Sequence, residues 1–238
     1  MKKLFIIIQA RLNSTRLPNK VLLPLCGKTV LEVLLDRLSI FKNNIIVATT
    51  ADSNSIVNIC KKNSIKYFIG SQQNVLERYY LGAKEFGADA NSTIVRITSD
   101  CPFNDSTILE RLIAKQREKP SSYIYVDIEN YFPRGFDAEA FSFKILENAY
   151  LNATTDYDKE HVTPFIKRIN CKKVAITDDV DNSNYRLTLD TEDDYIFTKE
   201  LYKELNYNIS SSYEEIISTL KKNPQIVKIN ADIKQKTT

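Results

Sequence analysis

Arg11, Arg16 and Lys20 stand among Asn13, Ser14 and Thr15 in the stretch Gln9 to Lys20, so cations and small polar side chains alternate over one short segment. Each cation can form charge-assisted hydrogen bonds to phosphate oxygens, and the hydroxyls and the amide can add neutral ones. The segment follows Leu4-Phe5-Ile6-Ile7-Ile8, a run whose shortness and β-branched content predict a buried strand. In an open α/β sheet, ligands bind at the loops beyond the carboxyl ends of the strands. The segment therefore reads either as a polyphosphate grip or as an ordinary solvated basic loop. It contains neither Gly-x4-Gly-Lys-Ser/Thr nor a glycine-rich dinucleotide fingerprint. If it holds phosphate, side chains must do the holding.

Two carboxylates are placed to work with such a loop. Asp100 closes Ile94-Val95-Arg96-Ile97-Thr98-Ser99-Asp100, and Asp190 closes Tyr185-Arg186-Leu187-Thr188-Leu189-Asp190, each just past an expected strand. If both strands run parallel to the first, both carboxylates share its carboxyl edge. Mg²⁺ is commonly held by one or two carboxylates together with waters and substrate phosphates. The alternatives are local: Asp190 can balance a helix start, and Asp100 can serve the turn before Cys101-Pro102. Asp193 and Asp194 read as first-turn helix acids with Thr191 as the cap, not as ligands.

Asp137 and Glu139 alternate on an expected strand that follows the turn Pro133-Arg134-Gly135, which puts both acids on one face. A paired-acid face is unusual in a core and points to a substrate-facing role, with Arg134 beside it. His161 is the only histidine, and no Gly-x-Ser-x-Gly is present, so a serine-hydrolase elbow is excluded. His161 is either a substrate contact or a helix-end residue satisfied by hydrogen bonds. Cys26, Cys60, Cys101 and Cys171 are widely spaced and form no Cys-x-x-Cys pair, which argues for reduced thiols over zinc or disulfides.

The elements that must position these residues alternate regularly. Thr29-x-x-Glu32 and Asn74-x-x-Glu77 predict helix starts, as does Asp105 before Ser106 to Gln116. Strands are expected at Asn44 to Thr49, Ile65 to Ile69, Thr93 to Thr98 and Tyr123 to Val126, with a helix over Ser53 to Lys62. Such alternation means βαβ units and a mostly parallel sheet. The pattern breaks over about 128–184, which reads as a β-rich or helical insertion with a strand at Ala138 to Phe143. It resumes with a strand at Tyr185 to Leu189 and a helix over Thr191 to Leu205. The polar tail beyond Ile229 is expected to fray.

At 238 residues the chain fits a single domain, 1–238, carrying that insertion. A net charge of +3 with scattered cations argues against a dedicated nucleic-acid binder. No apolar stretch is long enough to span a bilayer. The apolar part of Met-Lys-Lys-Leu-Phe-Ile-Ile-Ile is too short for a secretory segment, so the cytoplasm is the expected location.

Several segments, in order along nearly the whole chain, resemble the nucleotide-sugar cytidylyltransferases that make CMP-activated Kdo and sialic acid, especially the spore-coat polysaccharide biosynthesis protein F type. They are Gln9-Ala10-Arg11, Ser14-Thr15-Arg16-Leu17-Pro18 with Lys20, Asn74 to Tyr80, Arg96 to Pro102, Phe132 to Asp137, Glu160 to Pro164, and Arg186 to Asp194. The resemblance implies a GT-A-like nucleotidyltransferase fold and a homodimer with the insertion packed between subunits. It implies CTP as co-substrate, Mg²⁺ as cofactor and a sugar or acidic acceptor. Arg11, Ser14, Arg16 and Lys20 would hold the triphosphate. Ala10 and Arg78 would lie near the nucleoside, with Thr98 close by, and Asp100 and Asp190 would hold the metal. The Kdo enzymes carry Gln-Gly-Asp-Glu-Pro where this chain has Thr98-Ser99-Asp100-Cys101-Pro102, so the likeness speaks more to the nucleotide than to the sugar. Two other readings stay open on the residues alone: a GT-A glycosyltransferase that uses a nucleotide-sugar donor, and a non-catalytic nucleotide-binding subunit.

Overall fold

The computed structural model describes residues 2–235. The chain runs β1 (Leu4–Gln9), a short ribbon of β2 (Pro24–Leu25) and β3 (Lys28–Thr29), α1 (Val30–Arg37), β4 (Ile45–Thr50), α2 (Asn54–Lys62), β5 (Lys66–Gly70), α3 (Val75–Glu85) and β6 (Thr93–Thr98). It continues through α4 (Ser106–Glu118), β7 (Tyr123–Val126), β8 (Glu139–Ser142), α5 (Phe143–Asn152), α6 (Asp156–His161), α7 (Pro164–Arg168), β9 (Lys173–Ile176), α8 (Glu192–Glu204), α9 (Tyr213–Lys222) and α10 (Pro224–Val227). Among the described residues, no helix is long and apolar enough to cross a membrane.

One seven-stranded sheet organises the fold, in the order β5-β4-β1-β6-β8-β7-β9. β5, β4, β1 and β6 are mutually parallel, β8 is antiparallel to both its neighbours, and β7 pairs β9 in parallel. Successive side chains of a strand point to opposite faces, and β1 divides accordingly. Ile6 and Ile8 enter the core on one side with residues of α1 and α4. Phe5 and Ile7 enter the other with residues of α3 and α5. Each such isoleucine, fully buried, contributes roughly 1.5–3 kcal/mol relative to exposure. With both faces covered, the useful opening is the carboxyl edge of the parallel strands.

The helix starts follow their local chemistry. Thr29 and Glu32 close a capping box on α1, Asn74 Oδ1 accepts from the Glu77 amide, and Asp105 accepts from the amides of Thr107 and Ile108. Three expectations need correction. Residues 128–184 supply two strands of the main sheet, β8 between β6 and β7 and β9 beside β7, with α5 packed on one face. Tyr185 to Leu189 is an extended segment and not a sheet strand. It is pinned where the Leu187 amide donates to Arg134 O at 2.6 Å and the Leu189 amide to Asp100 O at 2.8 Å. Nor does the chain fray directly beyond Ile229, because the Asn230 side chain is buried and donates to Arg186 O and Asp194 Oδ1.

Gly135 makes the close approach of these segments feasible. Its φ is +115°, and a Cβ there would lie 2.5 Å from Leu187 C and 2.7 Å from Thr188 N. Both backbones are fixed by the Arg134–Leu187 hydrogen bond, so neither can yield. Gly135→Ala should cost about 2–4 kcal/mol of stability. Denaturant unfolding measures this, and a change within experimental error would mean that the two segments can separate without loss.

Candidate active site

A cavity of about 480 Å³ opens at the carboxyl edge of β1, β6 and the start of α3. Its walls include Ala10, Arg11, Ser14, Arg16, Lys20, Arg78, Thr98, Asp100, Arg134, Asp137, His161 and Asp190. In the sequence these residues are spread over 180 positions. The fold gathers them because β1 and β6 are adjacent and parallel. The segment ending at Asp190 crosses the same edge, bonded to Asp100 O.

At the centre, the Lys20 ammonium donates to Asp100 Oδ2 at 2.7 Å and to Asp190 Oδ1 at 2.8 Å. Asn19, at φ 56°, turns the chain into the single 3₁₀ turn Lys20–Leu22 that aims Lys20 inward. Burial works against the charge of Lys20, yet the two carboxylates hold its pKa above the ordinary lysine value. Burial likewise opposes the charge of Asp100, and the ammonium wins, so that carboxyl stays below the usual aspartate range. Arg16 Nη2 lies 2.9 Å from Asp190 Oδ2. Arg11 pairs with Glu160 at 3.8 Å across the mouth, where solvent leaves such a pair worth little.

Arg78 occupies the floor. It projects from α3, is 1% exposed, and its Nε and Nη1 have no hydrogen-bond partner among the described residues. Desolvation pulls its pKa below the usual arginine value. Gly70 leaves room for it, since a Cβ there would fall 2.8 Å from Arg78 Cγ. On the far wall, Asp137 accepts from the Gly135 amide at 2.7 Å, and Arg134 Nη1 stands 3.8 Å from its other oxygen. Burial raises the Asp137 pKa above the usual value.

His161 reaches the cavity through strained backbone. Val162 has φ 71° and ψ −53°, and the Thr163 amide donates to His161 O at 2.8 Å, closing a γ-turn. A β-branched residue in this conformation costs on the order of 1–3 kcal/mol. The fully buried Val162 side chain holds it in place. Burial lowers the His161 pKa, which favours the neutral ring.

Glu139 does not line the cavity, contrary to the paired-acid reading. Its carboxylate accepts from Arg96 Nη1 at 2.7 Å, Lys167 Nζ and Thr163 Oγ1 at 3.1 Å each, and the Tyr123 hydroxyl. Burial opposes its charge, but these partners hold its pKa at about 2. Alternation placed it on the correct strand, while four donors turned it into the protein. Its partner Arg96 is the cavity residue there, with Nε unpartnered among the described residues. Sequence reasoning passed over Arg96, although a cation inside the apolar run Ile94 to Ile97 was a usable signal. Glu160 and Gln235 also line the cavity and had no comparable signal. Among the described residues, no three His, Cys, Asp or Glu side chains converge as a metal cluster.

The whole architecture has close relatives. A family model described as Cytidylyltransferase matches residues 5–234. An uncharacterized protein of Methanocaldococcus jannaschii is 38% identical over 99% of this chain and 97% of its own length. The spore coat polysaccharide biosynthesis protein SpsF of Bacillus subtilis is 32% identical over 94% of this chain and 96% of its own. The solved structure of a cytidylyltransferase from Leptospira borgpetersenii superposes with a TM-score of 0.89, at 33% identity, covering 99% of this chain and 100% of that one. Fold and relatives together define a nucleotidyltransferase that uses CTP. The chain belongs to the cytidylyltransferase family.

Proposed function

We propose that this enzyme transfers CMP from CTP to a small acidic sugar or sugar acid, releasing pyrophosphate, as a step toward a surface polysaccharide or glycan. The observation that carries the reading is the Asp100–Lys20–Asp190 bridge beside Arg16 on the first loop. Cations able to bind a triphosphate sit there against two carboxylates able to share a divalent ion. A two-subunit assembly and a cytoplasmic location belong to the same reading.

Arg11, Ser14, Arg16 and Lys20 hold the triphosphate in this scheme. Arg78 offers its unpartnered Nε and Nη1 to acceptor atoms of the cytosine ring, with Ala10 and Thr98 lining the nucleoside path. An acceptor oxygen attacks the α-phosphorus, its proton passing to solvent water, and the bond from the α-phosphorus to the bridging oxygen of pyrophosphate breaks. Arg16 and Lys20 stabilise the departing charge, in a reaction driven by positioning and charge neutralisation. Arg96, Arg134 and His161 also line the cavity, where two guanidinium groups favour an anionic acceptor. Asp137 is placed to accept from an acceptor hydroxyl.

Mg²⁺ fits the donor set: Asp100 and Asp190 supply hard oxygen ligands that already share one cation, Lys20. When bound there, the ion would supply Lewis-acid polarisation of the α-phosphate.

The deciding experiment offers the protein CTP, Mg²⁺ and a panel of acceptors, including Kdo, sialic acid and legionaminic acid, and measures pyrophosphate. Release that requires both CTP and one acidic acceptor is the expected result. CTP binding without turnover on any acceptor would indicate a non-catalytic subunit, and turnover of a nucleotide-sugar without CTP would indicate a glycosyltransferase.

A further inference from the structure

Asp190 presents its two oxygens differently. Oδ1 accepts from Lys20 and faces Asp100 across that ammonium, while Oδ2 is held by Arg16 at 2.9 Å and by Arg186 Nη2 at 3.1 Å. Arg186 is itself locked. Its Nε and Nη2 form a fork onto Asp194 Oδ1 and Oδ2 at 2.8 and 3.1 Å, and its Nη1 donates to Gln235 Oε1 at 2.7 Å. Asp194 is fully buried and also accepts from the amides of Asp190 and Thr191, at 3.0 Å each, and from Asn230 Nδ2 at 2.9 Å. Burial opposes the charge of Asp194, yet Arg186 and Asn230 hold its pKa below the usual aspartate range.

A helix cap alone does not call for this arrangement. Thr191 and Asp194 complete their capping box on α8 through each other, and nothing in that box needs Arg186 to reach Asp190 or the tail to return. A carboxylate whose rotation is fixed by donors on one oxygen presents the other in a single direction, and groups that orient a metal ligand in this way tune the site. We propose that Arg186 is a positioning residue. Gripped by Asp194 and by the C-terminal segment at Asn230 and Gln235, it turns Asp190 so that Oδ1 faces the cavity, and so sets the site's affinity for its divalent cation. This rests on the reading of Asp100 and Asp190 as the cation-holding pair.

The test uses Mn²⁺ as the probe, titrated by electron paramagnetic resonance into the full-length protein with CTP present, alongside a thermal melt for each variant. Arg186→Met should weaken Mn²⁺ binding by about 10–100-fold. Arg186→Lys keeps the charge but loses the fork, so it should stay impaired, whereas a purely electrostatic role would let lysine restore binding and overturn the proposal. Gln235→Ala removes one exposed side chain, keeps the test decisive if Arg186→Met does not fold, and should weaken Mn²⁺ binding by a smaller factor. Wild-type affinity in all three variants, with binding lost in Asp190→Asn, overturns the positioning role and leaves the metal reading standing. Unchanged binding in Asp190→Asn itself overturns the reading beneath it.

Discussion

Replacing Asp100 by Asn will slow pyrophosphate release by about 10²–10³-fold while the melting temperature moves little. The substitution is isosteric and removes charge alone. Asp100 Oδ2 contacts Lys20, so the variant leaves the ammonium with one carboxylate, Asp190, and leaves any divalent ion with one charged ligand fewer. The fold tolerates the change because the backbone of Asp100 does the structural work. Its carbonyl accepts from the Leu189 amide at 2.8 Å and from Thr188 Oγ1 at 3.4 Å, and Asn preserves both. Initial rates at saturating CTP across a range of Mg²⁺ concentrations, with a melt of the same preparation, test this. Near-wild-type rates would remove Asp100 from the reaction, and a collapsed melt would show that the bridge is chiefly structural.

Arg78→Met should have effects of opposite sign on binding and stability. A guanidinium that is 1% exposed with two unpartnered nitrogens is expensive in the free enzyme, since each buried unsatisfied group costs about 1–3 kcal/mol. Methionine fills similar space beside Phe68 and Gly70 without that cost, so the unliganded protein should melt at a higher temperature. Removing the two donors from the nucleoside should at the same time raise the KM for CTP by about 10–100-fold, the worth of one or two hydrogen bonds from a charged group. Destabilisation with an unchanged KM would make Arg78 a packing residue. The expected pattern is that of a group whose partner arrives with the substrate, as sites trade stability for function.

Local signals made much of this structure readable in the sequence. β1, β6 and β7 declare themselves by apolar runs, and Thr29, Asn74, Asp105 and Thr191 declare their helices because a cap depends on the next three residues. The loop from Arg11 to Lys20 was legible for a related reason, since its cations follow directly on a strand. What stayed hidden depends on partners distant in sequence. Nothing near Glu139 announces Arg96 and Lys167, which lie 43 and 28 positions away, and the period of a strand gives a face without saying what meets it. Tyr185 to Leu189 has a strand's composition, yet its amides bond to a turn and to the Asp100 loop instead of a ladder. The return of the tail rests on Asn230 and Gln235, in a polar stretch that looks like any other terminus. The placement of β8 between β6 and β7 is a long-range pairing of the same kind.

The Lys20 bridge bears on how the enzyme comes to exist before it meets a nucleotide. Two aspartates brought together at one sheet edge would repel each other, and many proteins meet that difficulty by folding only around a metal. Here the compensating charge is covalently part of the chain, encoded eleven residues after the end of β1. The nascent protein can therefore complete its catalytic edge without waiting for an ion from the cell. On the proposed reading of Asp100 and Asp190 as the cation-holding pair, chelation would silence the enzyme without unfolding it, and a metal-starved population would persist as folded protein able to resume work when the ion returns.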